Sequence, residues 1–388
     1  MFKIATLNNI SAKGLICFND IYHITDDINE ADGILVRSFN MHNMEFSKNL
    51  KAIARAGAGV NNIPIEKCTE KGIVVFNTPG ANANAVKEIV LAGLLLSSRK
   101  IARGLQWTSS LKGKGNEVPQ LVEKGKKQFT GSEIKDKTLA VIGLGAIGVM
   151  VANAASALGM KVIGYDPFIS VKSALELSRK IQLTDNLDDL LNQAHYITLH
   201  VPVIDETKNM INKDKFSKMR EGVKLLNFSR GEIVNDDALI EAINIGIVDR
   251  YVTDFPNDKL LGIESVLAVP HLGASTPESE ENCAIMAVEE ISDYLENGNI
   301  TNSVNFPDCT LGVCNTAGRI GVLHKNVPAK ISQITNTMGE LNINISDMNN
   351  RSKGSDSYTL VDVDTKVTDS QMDKLRNVEG IISVRVIK

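Results

Sequence analysis

A strand that runs directly into Gly143-Leu144-Gly145-Ala146-Ile147-Gly148 limits the fold more than any other stretch of this chain. Thr138 to Ile142 is an unbroken apolar run, and Ile147, Val151, Ala154 or Ala155, and Leu158 follow at helical spacing. GxGxxG alone recurs in loops, but between a strand and a helix it reads as a dinucleotide turn. Gly143 takes the tight turn, Gly145 admits pyrophosphate close to the backbone, and Gly148 lets the helix pack closely. The free N–H groups of the helix start, at Ala146 and Ile147, then face the anion. Lys161 to Tyr165 forms the next strand, closed by Asp166 eighteen residues after Gly148. Its carboxylate suits an adenosine ribose and repels a 2′-phosphate, so the expected cofactor is NAD rather than NADP. The competing role for Asp166 is a turn cap before Pro167.

The segments around this turn repeat the same rhythm. Tyr196 to His200, Val223 to Asn227, Gly246 to Val248 and Val266 to Val269 read as strand ends or short buried strands of one doubly wound domain. Ile4 to Leu7, Gly33 to Arg37, Lys51 to Ala54 and Ile73 to Phe76 read as a second, earlier parallel sheet. Asn77-Thr78-Pro79-Gly80 breaks that sheet, and Val86, Ile89, Val90 and Leu94 open a long helix. Residues 104 to 131 are polar and lysine-rich and read as a solvated connection, or as a segment that sets one or two lysines beside an anionic substrate. From Gly318, strands at 319–323, 343–347, 358–363 and 382–386 alternate with helices at 329–338 and 369–377. That βαββαβ order places both helices on one face of a four-stranded sheet, and the open face calls for cover by another copy. The expected class is therefore α/β, with two doubly wound parallel-sheet (Rossmann-like) domains and a C-terminal βαββαβ module. Boundaries are expected at 1–98 plus 293–310 for a substrate-binding domain, 99–292 for the NAD-binding domain and 318–388 for the module.

A chain of 388 residues is long enough for two or three such domains. With 42 Lys and Arg against 46 Asp and Glu, it lacks the basic excess of a nucleic-acid binder. No run approaches the roughly 20 apolar residues needed to cross a bilayer. MFKIATLNNI has no signal-peptide pattern, and five scattered cysteines suit a reducing compartment, so a cytoplasmic location is expected. No HxH, HExxH or CxxC occurs, so no metal site is expected.

Three segments gather chemistry near strand ends: Asn227-Phe228-Ser229-Arg230-Gly231, Asp249 through Asp254, and Pro270-His271-Leu272-Gly273. They offer one guanidinium, two carboxylates and one imidazole outside the carboxyl ends of an open sheet. Hydride transfer to nicotinamide from a hydroxyl-bearing carbon needs a group to take the hydroxyl proton, which suits His271. Arg230 suits a bidentate clamp on a substrate carboxylate. The plain alternative is that His271 only packs at a strand end.

Arg55-Ala-Gly-Ala-Gly-Val-Asn-Asn, Asn77-Thr-Pro-Gly, the glycine turn, Leu199-His-Val-Pro, NFSRG and PHLGAST together give the chain its family likeness. It resembles the D-isomer-specific 2-hydroxyacid dehydrogenases, in the branch that ends in an ACT regulatory module. The resemblance implies catalytic roles for Arg230 and His271, and substrate contacts from Arg55, Ala56, Gly57, Asn77 and Thr78 across a cleft. It lays His200 and Pro202 along the cofactor, with Thr207 helping to close that loop. Related enzymes carry DVFxxEP with the Glu paired to the histidine; counting from Asp249 puts Asp254 there as the partner of His271. Asp249 would then face the nicotinamide side of the cofactor. The implied reaction is NAD-dependent oxidation of 3-phospho-D-glycerate to 3-phosphooxypyruvate, at the entry to serine synthesis. The nearest alternatives are dehydrogenases of glycerate or 2-hydroxyglutarate. For the tail, the resemblance implies an L-serine effector near His324, Asn326 and Asn344 at a two-fold interface, in a homodimer or homotetramer. A purely structural dimerisation module is the other reading. Ala329 stands where a glycine is common, which adds bulk or changes the backbone path there.

Overall fold

The computed structural model describes residues 1–388, folded as two compact units. One comprises Met1–Asn82 with Pro277–Lys388, the other Ala83–Thr276. These limits differ from the expected ones because the helices at Ala83–Ser98 and Pro277–Asn297 pack opposite to expectation. Val86, Val90 and Leu94 of the first join the core around Val141, Leu226, Phe228 and Val252 of the nucleotide-binding unit. Ala287, Val288 and Ile291 of the second join the core around Ile4, Leu35, Ala54 and Phe76.

The first unit holds a parallel sheet of β1 (Phe2–Leu7), β2 (Tyr22–Thr25), β3 (Gly33–Val36), β4 (Ala52–Arg55) and β5 (Val74–Asn77), in the order β2-β1-β3-β4-β5. Strand β2 was not expected; Tyr-His-Ile-Thr at an edge has no apolar run to announce it. Alternate residues divide between two faces, as a two-residue period requires. Leu35, Ala52 and Ala54 meet the helix at 277–297, whereas Ile34, Val36 and Ile53 meet Met41, Phe46 and Cys68.

The second unit holds β6 (Thr138–Ile142), β7 (Lys161–Tyr165), β8 (Gln182–Leu183), β9 (Tyr196–Leu199), β10 (Val223–Asn227), β11 (Val248–Thr253) and β12 (Val266–Ala268). All run parallel, in the order β12-β11-β10-β9-β6-β7-β8. The strand order reverses beside β6, the switch point at which open α/β sheets bind ligands. Two differences from the sequence reading stand out. The supposed connection at 104–131 contains helices at Ile101–Ser110 and Val118–Gly125, neither with a buried residue. The strand expected at 246–248 starts at Val248 instead, because Gly246, at φ +81°, completes the turn after the preceding helix.

The tail, within the first unit, forms the antiparallel sheet β14-β15-β13-β16 from β13 (Gly318–Lys325), β14 (Ile345–Lys353), β15 (Asp356–Val363) and β16 (Ile381–Val386). This is the expected βαββαβ order. Ile320, Val322, Val361 and Val384 pack on Ile334 and Met338 of one helix and Leu375 of the other. The opposite face does not wait for a second copy. Leu323, Tyr358 and Leu360 enter the core of their own chain with Tyr294, Ile300, Phe306 and Cys309. Fully buried Arg319 pairs with Asp362 at 2.8 Å and donates to the carbonyls of Asn297 and Gly312, at 3.0 and 2.6 Å. Ala329 keeps a glycine-like path, at φ +64° and ψ 4°.

Candidate active site

The three glycines do different things. At Gly143, φ is +91° and a Cβ would lie 2.5 Å from the His200 carbonyl oxygen. At Gly148 a Cβ would lie 1.9 Å from the Gly143 carbonyl oxygen, so the turn closes on itself only without a side chain. At Gly145 a Cβ would meet nothing within 4 Å, so the demand there comes from outside the protein. An approaching pyrophosphate is such a demand. Asp166 caps turns on both sides: Oδ2 accepts from Leu144 N–H inside the glycine turn at 2.8 Å, and Oδ1 from Phe168 N–H at 2.9 Å. Its carboxylate is thus fixed at the end of β7 beside the turn.

His200 lies under the turn. Its Nε2 meets Thr198 Oγ1 at 2.9 Å, its Nδ1 is buried without a partner, and burial pushes its pKa down to about 3. The ring is neutral at physiological pH. Thr207 Oγ1 donates to the Pro202 carbonyl oxygen at 2.6 Å and accepts from Ile204 N–H at 2.8 Å, so it closes its own loop.

Arg230 leaves the carboxyl end of β10 on a turn that Asn227 holds from below. Asn227 Nδ2 donates to the Arg230 carbonyl oxygen at 2.8 Å and to Tyr251 Oη at 3.2 Å, and its Oδ1 accepts from Ser229 N–H at 3.1 Å. Sequence reasoning missed Asn227 and Tyr251 as supports, although the Asn of NFSRG was in view. Asp254 follows β11 and is buried; Oδ2 accepts from Gly273 N–H at 3.1 Å, while Oδ1 has no partner. Burial raises its pKa, opposed by the charges of His271 and Arg230. His271 is exposed, its ring 4.7 Å from that of Phe255. Asp254 is thus a buried carboxylate with one unpartnered oxygen that feels the charge of His271, and no hydrogen bond joins the two.

Asp249 does not belong to this group. It sits near the amino end of β11 and pairs with Lys224 at 3.2 Å and Arg250 at 3.4 Å. Five residues of strand, about 16 Å, separate it from Asp254. A carboxylate at that end of the sheet cannot face the nicotinamide, so that expectation is withdrawn.

The substrate-side residues cluster within the first unit. Arg55 and Asn77 end adjacent strands in register. Arg55 Nε donates to the Arg37 carbonyl oxygen at 3.1 Å, and its guanidinium crosses Gly57, where a Cβ would lie 2.2 Å from Nη1. Ala56 N–H reaches the Val36 carbonyl oxygen at 2.8 Å, and Asn77 Nδ2 the Ala58 carbonyl oxygen at 2.6 Å. Thr78 N–H donates to the Gly57 carbonyl oxygen at 3.2 Å, leaving its buried Oγ1 unpartnered.

The suggested effector residues do not converge within one chain. His324 is buried in the sheet, bonded to Thr359 at 2.9 Å and to the Lys325 carbonyl oxygen at 2.9 Å. Asn326 Nδ2 donates to the Gly354 carbonyl oxygen at 3.0 Å. Asn344 precedes β14 at the opposite end of the sheet and holds Asp364 at 2.8 Å.

Residues 91–273 match the D-isomer specific 2-hydroxyacid dehydrogenase, NAD binding domain. Over 281 residues the chain is 40% identical to a hydroxypyruvate reductase of Thermotoga maritima, covering 69% of this chain and 86% of that one. The chain belongs to the D-isomer-specific 2-hydroxyacid dehydrogenases. It is also 36% identical over 294 residues to a D-3-phosphoglycerate dehydrogenase of Methanocaldococcus jannaschii, covering 74% of this chain and 54% of that one. Like that relative, several of the curated proteins it matches are about twice as long as the part it spans. An NAD-bound 3-phosphoglycerate dehydrogenase structure from Entamoeba histolytica superposes with a TM-score of 0.60 at 28% identity, covering 78% of this chain and 98% of that one. NAD is the cofactor of this family member, and the open side of Gly145 and the carboxylate of Asp166 fit it. No helix is long and apolar enough to cross a membrane.

Proposed function

We propose that this NAD-dependent oxidoreductase oxidises 3-phospho-D-glycerate to 3-phosphooxypyruvate, the entry step of serine synthesis. The observation that carries the reading is the placement of Arg230, Asp254 and His271 at neighbouring strand ends of a unit with a complete dinucleotide turn. NAD supplies the hydride acceptor. Arg230 holds the substrate carboxylate, His271 takes the hydroxyl proton, and Asp254 Oδ1 receives the imidazole N–H as the ring becomes charged. Arg55, Ala56, Gly57, Asn77 and Thr78 are further proposed substrate contacts. The phosphoglycerate dehydrogenase names among the relatives support the phosphorylated substrate. The Thermotoga relative favours a second reading, reduction of hydroxypyruvate.

Initial rates of NADH formation with 3-phospho-D-glycerate, D-glycerate and 2-hydroxyglutarate separate these readings. The first should show the highest kcat/KM, and a preference for D-glycerate would replace it with the second. His271→Ala should slow turnover by about a hundred- to ten-thousand-fold with NAD affinity retained.

A further inference from the structure

The carboxyl end of the sheet in the first unit borders a cavity of about 420 Å³ lined by Asn77, Asn302, Ser303, Arg351, Ser352 and Lys353, with Asp308 also in the wall. Asn77 ends β5 beside Arg55, and an antiparallel bridge between Phe76 and Ser303 brings 302–303 alongside. The cations come from the tail. Asn349 Nδ2 donates to the Thr310 carbonyl oxygen at 3.0 Å and Lys353 Nζ to that of Ser303 at 2.9 Å. One face of β14 therefore looks onto the 303–310 segment. That face reads Asp347, Asn349, Arg351, Lys353, polar throughout, where a strand packed on a core is normally apolar. The two-residue period holds Arg351 and Lys353 about 7 Å apart along the strand, close enough for both to reach one small anion.

The charge balance favours an anion. The lining carries two cations against one carboxylate, and Arg351 is ion-paired with none. Behind the wall, buried Glu290 accepts from Asn302 Nδ2 at 2.7 Å. Burial pushes its pKa up to about 8, so it adds little negative charge at neutral pH.

We propose that this cavity is a phosphate-class dianion site, with Arg351 and Lys353 as its cationic ligands. The tail thereby supplies an anion subsite to the sheet end that carries Arg55. The same chemistry could come from the phosphoryl end of the substrate, an assignment that rests on the function proposed above, or from a separate phosphate-bearing ligand.

The test titrates the full chain with inorganic phosphate by calorimetry. Wild type should bind at one site; R351Q and K353Q should each weaken binding about tenfold or more, and D308N should tighten it. All three positions are exposed, and thermal melts check that the variants remain folded. No phosphate binding by the wild type, or equal affinity in folded R351Q and K353Q, overturns the proposal. Kinetics then assign the source. A KM for 3-phospho-D-glycerate raised about tenfold, with that for D-glycerate unchanged, identifies the substrate phosphate. Unchanged KM values with phosphate binding lost identify a separate ligand. Phosphate binding by an enzyme that does not turn over 3-phospho-D-glycerate retains the site and rejects only the proposed reaction.

Discussion

Replacing Gly145 and Gly148 in turn by alanine should separate folding from cofactor binding within a single loop. At Gly148 the new methyl would stand 1.9 Å from the Gly143 carbonyl oxygen and 2.9 Å from its carbon, both backbone atoms that no rotamer change can move. The turn must open, at a cost of about 1–3 kcal/mol by analogy with overpacked cores. The N–H groups move with it, so NAD affinity falls as well. At Gly145 the methyl meets no protein atom within 4 Å, and stability without cofactor should change by less than about 1 kcal/mol. The methyl does occupy the side from which pyrophosphate approaches, and losing about 1.4 kcal/mol of binding weakens NAD tenfold. Urea denaturation without cofactor and calorimetric titration with NAD measure the two quantities. A Gly145→Ala protein of wild-type NAD affinity would refute the assignment of that open side, and an undiminished Gly148→Ala stability would refute the closure argument.

Three further outcomes follow from the same geometry. Asp166→Ala removes the acceptor of Leu144 N–H and the proposed ribose ligand, so NAD binding should weaken at least tenfold (about 1.4 kcal/mol) and NADP binding far less; an unchanged ratio in titrations speaks against the ribose contact. Glu290 keeps its proton in the folded state from its ordinary pKa of 4.5 to about 8, while the unfolded chain releases it, so its presence lowers stability by up to about 1.4 kcal/mol per pH unit across that window. The gain from Glu290→Gln in urea denaturation should thus be small near pH 5 and grow towards pH 8, whereas a pH-independent difference contradicts it. Ala329→Gly should raise stability by about 0.5–1 kcal/mol, the relief of the left-handed backbone at φ +64° outweighing the freer unfolded chain; a net loss in urea denaturation would show that the alanine methyl packs favourably.

The nucleotide-binding unit was the more legible half because its signals are local. Thr138–Ile142, the glycine turn and Asp166 lie within thirty residues and act on one another directly. The charged ends of β11 were harder to place. Asp249 and Asp254 are both carboxylates of one segment, and only the strand start at Val248 shows that one pairs with Lys224 while the other is buried beside His271. Counting from a family motif fixed the spacing but not the end of the sheet. The cationic face of β14 was illegible for a different reason: its counterparts, Asn77 and 302–303, lie far away in sequence.

The tail shows most clearly how packing overturns a pattern argument. An open face on the βαββαβ sheet suggested cover by a second copy. Residues 318–388 instead contribute Leu323, Tyr358 and Leu360 to the core around Tyr294, Ile300 and Phe306, each of the three no more than 2% exposed. At about 1.5–3 kcal/mol per large side chain, their loss removes roughly 5–9 kcal/mol. That is comparable to the whole stability of a typical domain. The two cores of the second unit draw only on residues between Val86 and Val269. A chain ending at Ala317 should therefore still bind NAD, while hydrogen-exchange protection in β1 to β5 collapses. Retained protection in those five strands would show that the tail covers a face already stable by itself.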